Sequence, residues 1–419
     1  MVKERADART SRYKEARAKL QRVVMELRKT TEEVFSRHVE EDPFKNLYAQ
    51  EKLLVPPYDF DRLYTIYEES DILQSCVEAM QLNVDGFGYE LVFLGDDVKE
   101  RETPEAIRQR IRLENFFDHA NDEQSLMTLR KAAREDLEVL GNSALEIVRN
   151  RGGDILMAFQ LPFKKLRLAA LEGRAITVER SILRDGKEVK VKIRRYFRRF
   201  AQVSTTGRKV RWFKSFGDPR SMDATDGKFK PAKKCKILAS EILHFKHAFG
   251  ELPYGLPRWI GAVLDVMGRR DAQYVNYDLF NSQGIPPMAV LVSGGVLTDE
   301  SIAELEAMIK SMRGVDKWNR VMLLESNVET VGLEEKGNAK IEIKNLAEYR
   351  KEDQMFDRYL AQTEKTSRHR YRLPPLYVGS SEDFTHATAK AAQNVAEEQV
   401  FIPERAAIDE IINSRIVRP

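Results

Sequence analysis

One stretch constrains this chain more than any other. From Tyr254 to Lys344 a proline-started amphipathic helical pattern runs into a Gly284-Ile285-Pro286-Pro287 stop and a compact β-rich insert, and a second charged helical pattern follows at once. Pro257 suits the opening turn of a helix, and Ile260, Val263, Val266, Met267, Tyr274, Tyr277 and Phe280 share one side. At 1.5 Å per residue, about 26 residues predict a helix roughly 39 Å long. The insert has a minimal core of its own: strands at MAVLV, RVMLLES and KIEIK, and a helix from Asp299 to Met312 that Gly314 ends. After Leu346 a narrow apolar side of Met355, Phe356, Tyr359 and Leu360 continues until Pro374 and Pro375 stop it. Two helices with narrow apolar faces, holding a small module between them, point to a mechanical part more than a catalytic one.

The rest of the chain agrees with a soluble α+β protein. Its 69 basic and 66 acidic residues nearly cancel, so any case for nucleic acid rests on local clusters. Cys76 and Cys235 lie far apart, which excludes a disulfide framework and fits a reducing compartment. No apolar run approaches the roughly 18 residues of a membrane span, so no membrane partner is expected. Val2 to Arg37 alternates charges around Leu20, Val23, Val24 and Leu27, a helical arm that either contacts a neighbour or is partly solvated. Pro43, Pro56 and Pro57 place a boundary. Helices are predicted over Asp59 to Gly86, from Pro104, and over Leu126 to Leu140 with Gly141 as C-terminal cap; DGFGYELVFLG reads as a strand between the first two. Strands follow at Ala144 to Val148 and Ile155 to Phe159, then in a mainly β region from Arg174 to Phe249 with a hairpin turn at Asp185-Gly186. The last pattern is helical through Val400 and again through Ile412, and Pro403 is expected to break or kink it.

Candidate chemistry is sparse. Lys190, Lys192, Arg194, Arg195, Arg198 and Arg199 interleave with aromatics, which suits either single-stranded nucleic acid or a solvated sheet face, since alternate strand residues point to opposite sides. His244 and His247 read as opposite faces of one strand, which argues against a metal. His369 and His386 stand alone. No phosphate loop or nucleophile elbow occurs, and SGGVLTDE reads as a helix start capped by Thr298. Near the tip of the insert GVDKWNR offers Lys317, Trp318 and Arg320 either to a protein partner or to the insert itself.

Three blocks in this order, PPYDFDRLYTIYEESDILQSCVEAMQLNVDGFGYEL, YGLPRWIGAVLDVMGRRDAQYVNYDLFNSQGIPPMAVLVSGG and AEEQVFIPERAAIDEIIN, make the chain resemble tailed-bacteriophage portal proteins of the PBSX-type, HK97-like family. The resemblance implies an N-terminal charged helical arm (1–55), a mixed α/β wing (56–253), stem helix 1 (254–284), a small α/β clip (285–345), stem helix 2 (346–373), and a tunnel loop with a kinked wing helix (374–419), the helical crown being short or absent. It implies a non-enzymatic ring, typically a dodecamer, at one capsid vertex of the virion, assembled in the host cytoplasm and needing no cofactor. Double-stranded DNA passes through such a ring, which docks terminase and head-tail connector proteins and meets the major capsid or scaffolding protein. DNA must slide, so a lining of weak, mixed charges is expected: Arg350, Lys351 and Arg358 on stem helix 2, His386 and Lys390 beyond the tunnel loop. Lys317, Trp318 and Arg320 become the terminase or connector contact, and Val263, Met267, Tyr274 and Tyr277 the subunit interface. The competing expectations are a nucleic-acid-processing enzyme using the basic β region and a protein-only scaffold.

Overall fold

The computed structural model describes residues 44–93, 101–150, 152–184, 187–203, 210–247, 250–281, 288–293, 296–297, 326–327, 340–345, 356–379 and 385–417. They belong to two units: Met1–Glu68, Gln74–Arg258 and Leu376–Pro419 make the first, Glu69–Leu73 with Trp259–Pro375 the second. The chain is α+β, as the sequence predicts.

The first unit opens with α1 (Lys45–Gln50), α2 (Phe60–Glu68) and α3 (Asp71–Asp85), whose first turn is counted in the second unit. Two longer amphipathic helices follow, α4 (Pro104–Asp118) and α5 (Leu126–Leu140). Each starts on a hydroxyl that accepts an otherwise orphaned N–H: Thr103 from Ala106 and Ser125 from Thr128, both at 3.3 Å. Gly141 ends α5 in the left-handed region at φ 71°. A Cβ there would stand 2.3 Å from the carbonyl carbon of Leu256, so only glycine lets that backbone pass.

Strands β1 (Asn142–Arg149), β2 (Ile155–Leu161), β3 (Leu166–Leu168), β4 (Ile176–Arg184), β5 (Lys187–Arg195), β6 (Arg199–Val203), β7 (Val210–Ser215) and β8 (Glu241–Lys246) come next. Six of them form one sheet in the order β2-β1-β8-β7-β6-β3. Among the described strands only β7 and β8 run parallel, and such a pair needs a long crossover; the connection from Phe216 to Ser240 supplies it. Among the described residues strands β4 and β5 pair with each other alone, from Ile176↔Arg195 to Arg184↔Lys187, the register expected of a tight hairpin. Apolar residues of α5, β1 and β8, among them Leu129, Leu137, Ile147 and Phe245, share a core with Phe117 of α4.

The second unit holds α6 (Val263–Asn281), β9 (Met288–Ser293), β10 (Val296–Leu297), β11 (Ser326–Asn327), β12 (Lys340–Asn345) and α7 (Asp357–Tyr371). Two expected strands of the insert are paired, β9 with β12, Met288 opposite Asn345. The expected helix from Asp299 to Met312 lies outside the described residues. The chain then rejoins the first unit as α8 (His386–Ala396) and α9 (Ile402–Ile412).

Two expectations are corrected. Phe87 to Phe93 is not a strand: Phe87 and Val92 are exposed, and Tyr89 is held singly, by an O–H bond to Asp118 (2.7 Å) and a ring contact with Phe117. The first long helix begins later than expected, at Val263, after a 3₁₀ turn over Arg258–Ala262. Its expected first turn is held elsewhere, because Asn142 accepts from the Gly255 N–H (2.8 Å) and donates to the Gly255 carbonyl (2.9 Å). At Pro403, where the sequence predicts a break or kink, the helix changes type without breaking. A π turn over Glu397–Phe401 carries the backbone from α8 into α9, and its wider hydrogen-bond spacing accommodates a residue that has no N–H to give.

Candidate functional site

Helices α6 and α7 pack antiparallel in the second unit. Arg370 donates to the Gly261 carbonyl (3.1 Å) at one end, and farther along Arg269 donates to the Leu360 carbonyl (2.6 Å). Gly268 makes the crossing close: a Cβ there would lie 2.0 Å from the Tyr359 hydroxyl oxygen. Arg269 also forks onto Asp71 at 3.0 and 3.1 Å; burial opposes the charge on that carboxyl, and Arg269 outweighs it and holds the group below the usual range. At its far end α7 closes with Arg372 in the left-handed region and a Leu373 N–H bond to the Arg368 carbonyl (3.2 Å), the six-to-one pattern of a Schellman cap. Pro374 then follows where the sequence predicts a stop.

This packing divides the four residues of α6 expected at a subunit interface. Val263 is buried and Met267 half-buried, whereas Tyr274 and Tyr277 are 60% and 64% exposed. Leu264 is also 62% exposed. One apolar side is thus covered within the chain over the first turns of the helix and is bare farther along, where Tyr274 and Tyr277 continue it. On α7 Arg358 is exposed; on α8 His386 and Lys390, one turn apart, are exposed as well. Arg350, Lys351, Lys317, Trp318 and Arg320 lie outside the described residues.

What secures α9 was not singled out in the sequence. Arg130, Arg134 and Glu138 stand four residues apart along α5, and all three are buried. Arg134 donates to Asp85 of α3 (2.8 Å), to Glu138 (3.2 Å) and to Glu404 of α9 (3.0 Å). Arg130 pairs with Asp85 (2.9 Å) and with Asp409 of α9 (3.1 Å). Arg258 closes the group, 2.9 Å from Glu138 and 2.6 Å from Glu404. Burial alone would push the Glu138 carboxyl up, but Arg258, His247 and Arg134 prevail and hold it well below the carboxylate range. Glu404 is lowered against burial in the same way, by Arg258 and Arg134. The available signal was a row of charges at four-residue spacing, Arg130, Arg134 and Glu138, set among the apolar residues Leu126, Leu129, Ala133 and Leu137.

The basic cluster of the β region is dispersed. Lys190, Lys192 and Arg194 are exposed on one side of the β4–β5 hairpin, while Arg195 stacks over Phe197 and Arg199 over Trp212. His244 stacks on Phe163, and burial, then Arg198 and Lys246, bring its pKa down to about 3, so it is neutral. His247 lies 3.5 Å from Glu138 within the ion network. Among the described residues no group of three His, Cys, Asp or Glu side chains is placed to hold a metal ion, and no helix is long and apolar enough to cross a membrane.

No protein-family model matches the chain. It is 32% identical over 391 residues to the phage-like element PBSX protein XkdE of Bacillus subtilis (strain 168), spanning 91% of this chain and 78% of that one. Among solved structures it is similar to a chain of the virion of the native gene transfer agent particle, with a TM-score of 0.52 at 15% identity over 87% of this chain and 82% of that one. It is also similar to a chain from the neck of the empty gene transfer agent particle computed with C6 symmetry, with a TM-score of 0.51 at 16% identity over 87% and 84%. Close sequence kinship across nearly the whole chain, a shared fold and a pair of helices around a β-containing insert converge on one conclusion: the chain belongs to the PBSX-type family of tailed-bacteriophage portal proteins.

Proposed function

We propose that this portal protein closes into a homo-oligomeric ring, typically of twelve copies, at one vertex of a phage capsid, and that double-stranded DNA passes through the ring during packaging and ejection. The observation that carries the reading is the bare far end of the apolar side of α6: Tyr274 and Tyr277 lack cover in a single chain, and a neighbouring copy around an axis would supply it. The C6 symmetry of the similar neck supports a cyclic assembly. In this reading α6 and α7 are the stem, residues 285–345 the clip that docks terminase and later the head-tail connector proteins, and the ring belongs to the virion. The role is structural, with no reaction assigned to the chain.

Exposed Arg358, His386 and Lys390, with Arg350 and Lys351, would line the channel with separated charges that neutralise phosphates weakly and read no base. Native mass spectrometry and negative-stain images test the ring: closed symmetric oligomers are expected, and monomers alone under assembly conditions overturn it. Charge reversal at Arg350 and Lys390 tests the lining; packaging and genome retention left intact would remove the channel assignment while keeping the ring. Lys317→Ala with Trp318→Ala is expected to weaken terminase docking without dissolving the ring, and loss of the ring instead would place that loop between subunits.

A further inference from the structure

One member of the dispersed basic cluster has no counter-charge. Elsewhere in the first unit Arg134 faces Asp85, Arg149 faces Glu241 and Arg258 faces Glu138, while Arg167 and Arg199 donate to backbone carbonyls. Arg198 is half-buried too, yet among the described residues its guanidinium has neither an ion pair nor a hydrogen bond, and its Nη1 is fully buried. A donor desolvated in this way calls for an acceptor.

The sheet fixes where that acceptor would sit. The Ser215 hydroxyl of β7 donates to the Arg198 carbonyl (3.0 Å) and accepts from the Arg198 N–H (3.4 Å), which carries the β6–β7 pairing one step past Arg199↔Lys214. Ser215 is in turn opposite Ile242 of β8. Partners across a sheet share a face, as do alternate residues along a strand, so Arg198, His244 and Lys246 lie on one side. Phe200 of β6 already meets His244 of β8 on that side, with ring centroids 5.9 Å apart. Strand β7 ends at Ser215 while β8 runs on to Lys246, so beyond Ser215 no described strand separates the start of β6 from the end of β8. The Lys246 ammonium donates once within the chain, to the Leu252 carbonyl (2.9 Å), and keeps further N–H groups for a ligand. Burial and the nearby Arg198 charge hold the Lys246 pKa below its usual value, and no carboxylate offsets them. With His244 neutral, this side carries two cations and no acid.

We propose that Arg198 and Lys246 form a binding site for a phosphate group. The guanidinium offers a planar fork to two oxygens and the ammonium a point charge to a third, so the site suits an anion with three free oxygens more than a carboxylate. Inorganic phosphate and a phosphate monoester share that chemistry. The two free oxygens of a phosphodiester backbone fit it less well. The site is independent of the ring reading.

Equilibrium dialysis of radiolabelled inorganic phosphate against the full chain tests it, at constant ionic strength balanced with chloride. Saturable uptake of a single phosphate per chain is expected. Arg198→Met and Lys246→Gln should each weaken it by about tenfold or more, the loss of one charge-assisted contact. Lys192→Gln, at an exposed position of the β4–β5 hairpin, should leave it unchanged. No saturable uptake by the parent overturns the site; so does uptake that survives Lys246→Gln or falls as far with Lys192→Gln. Lys246 is exposed, so its variant should keep the parent's circular dichroism and decides the matter even where Arg198→Met fails to fold. Adenosine monophosphate as competitor separates the sources: displacement at lower concentration than unlabelled phosphate identifies a monoester, and weaker displacement identifies free phosphate. A DNA duplex that displaces the label better than either overturns the ligand class.

Discussion

Replacing Arg134 by Met is the sharpest test of how α9 is held. Arg134 is 1% exposed and faces three carboxylates, Asp85, Glu138 and Glu404, at 2.8, 3.2 and 3.0 Å. Methionine fills most of the volume, so the loss is chiefly electrostatic. Arg130 still faces Asp85, and Arg258 still faces Glu138 and Glu404, but two cations now serve four acids once Asp409 is counted. Removing one partner from a buried ion group costs about 3–5 kcal/mol, because the remaining charges stay desolvated. With a urea dependence of about 3 kcal/mol per molar, the midpoint should fall by about 1 to 1.7 M. The pH dependence separates this from a packing defect. Glu138 and Glu404 are held low in the intact protein and remain charged at pH 5. Without Arg134 their pKa values rise, a proton relieves the repulsion, and the deficit against the parent shrinks as pH falls from 8 to 5. Urea denaturation of both proteins at the two pH values is the assay. A deficit under about 1 kcal/mol, or one equal at both pH values, refutes the argument.

The other predictions concern single positions. Gly268→Ala gains about 1 kcal/mol of helix propensity but drives a methyl into the Tyr359 hydroxyl; thermal melts should show it destabilising alone and stabilising in a Tyr359→Ala background. Gly141→Ala must hold a left-handed φ of 71° against the Leu256–Pro257 backbone, which should cost on the order of 3 kcal/mol in a urea titration. Asp136 carries a pH effect of opposite sign to Glu138. Burial pushes it up to about 6, despite bonds from Tyr64, Gln160 and the Phe163 N–H. The folded state therefore holds this proton more tightly than the unfolded chain does. The contribution is fully present below about pH 4 and lost as pH rises through 6, a change of about 3 kcal/mol. Asp136→Asn should remove that slope, seen as the difference between parent and variant midpoints from pH 4 to 7.5.

Local rules made much of the fold legible. Pro104 and Gly141 mark helix ends because a residue with no N–H to give, or with no Cβ, meets a need confined to one turn. The Asp185-Gly186 signal likewise matches the hairpin register. Long-range contacts decided the remainder. Nothing near Gly255 says that Asn142, far earlier in the chain, takes both its backbone groups and delays the helix beyond Pro257. The alternation in Tyr89 to Phe93 satisfies the strand pattern, yet a strand also needs a partner, and Tyr89 is engaged by α4 instead. Of the expected interface residues, Val263 and Tyr274 look alike in a hydrophobic pattern; only the packing shows that one is used within the chain and the other is bare.

The helical stretch from His386 to Val417 carries the same lesson into dynamics. Its second half is fastened by unlike means: Glu404 and Asp409 enter the ion network, Arg405 donates to the Asn83 carbonyl (2.9 Å), and Ile412 and Ile416 enter the core with Leu129. Its first half has almost none of this, since within α8 only Ala396 is buried. What keeps α8 helical is alanine propensity, the Thr385 cap on the Thr388 N–H, and continuity through the π turn. Eleven residues on such terms are marginal in water. Amide exchange of the isolated subunit should therefore fall steeply in protection from α9 back to His386, by several kcal/mol of opening free energy. Equal protection along both halves would mean that α8 has a partner within its own chain, and His386 and Lys390 would then no longer be available to anything passing through a ring.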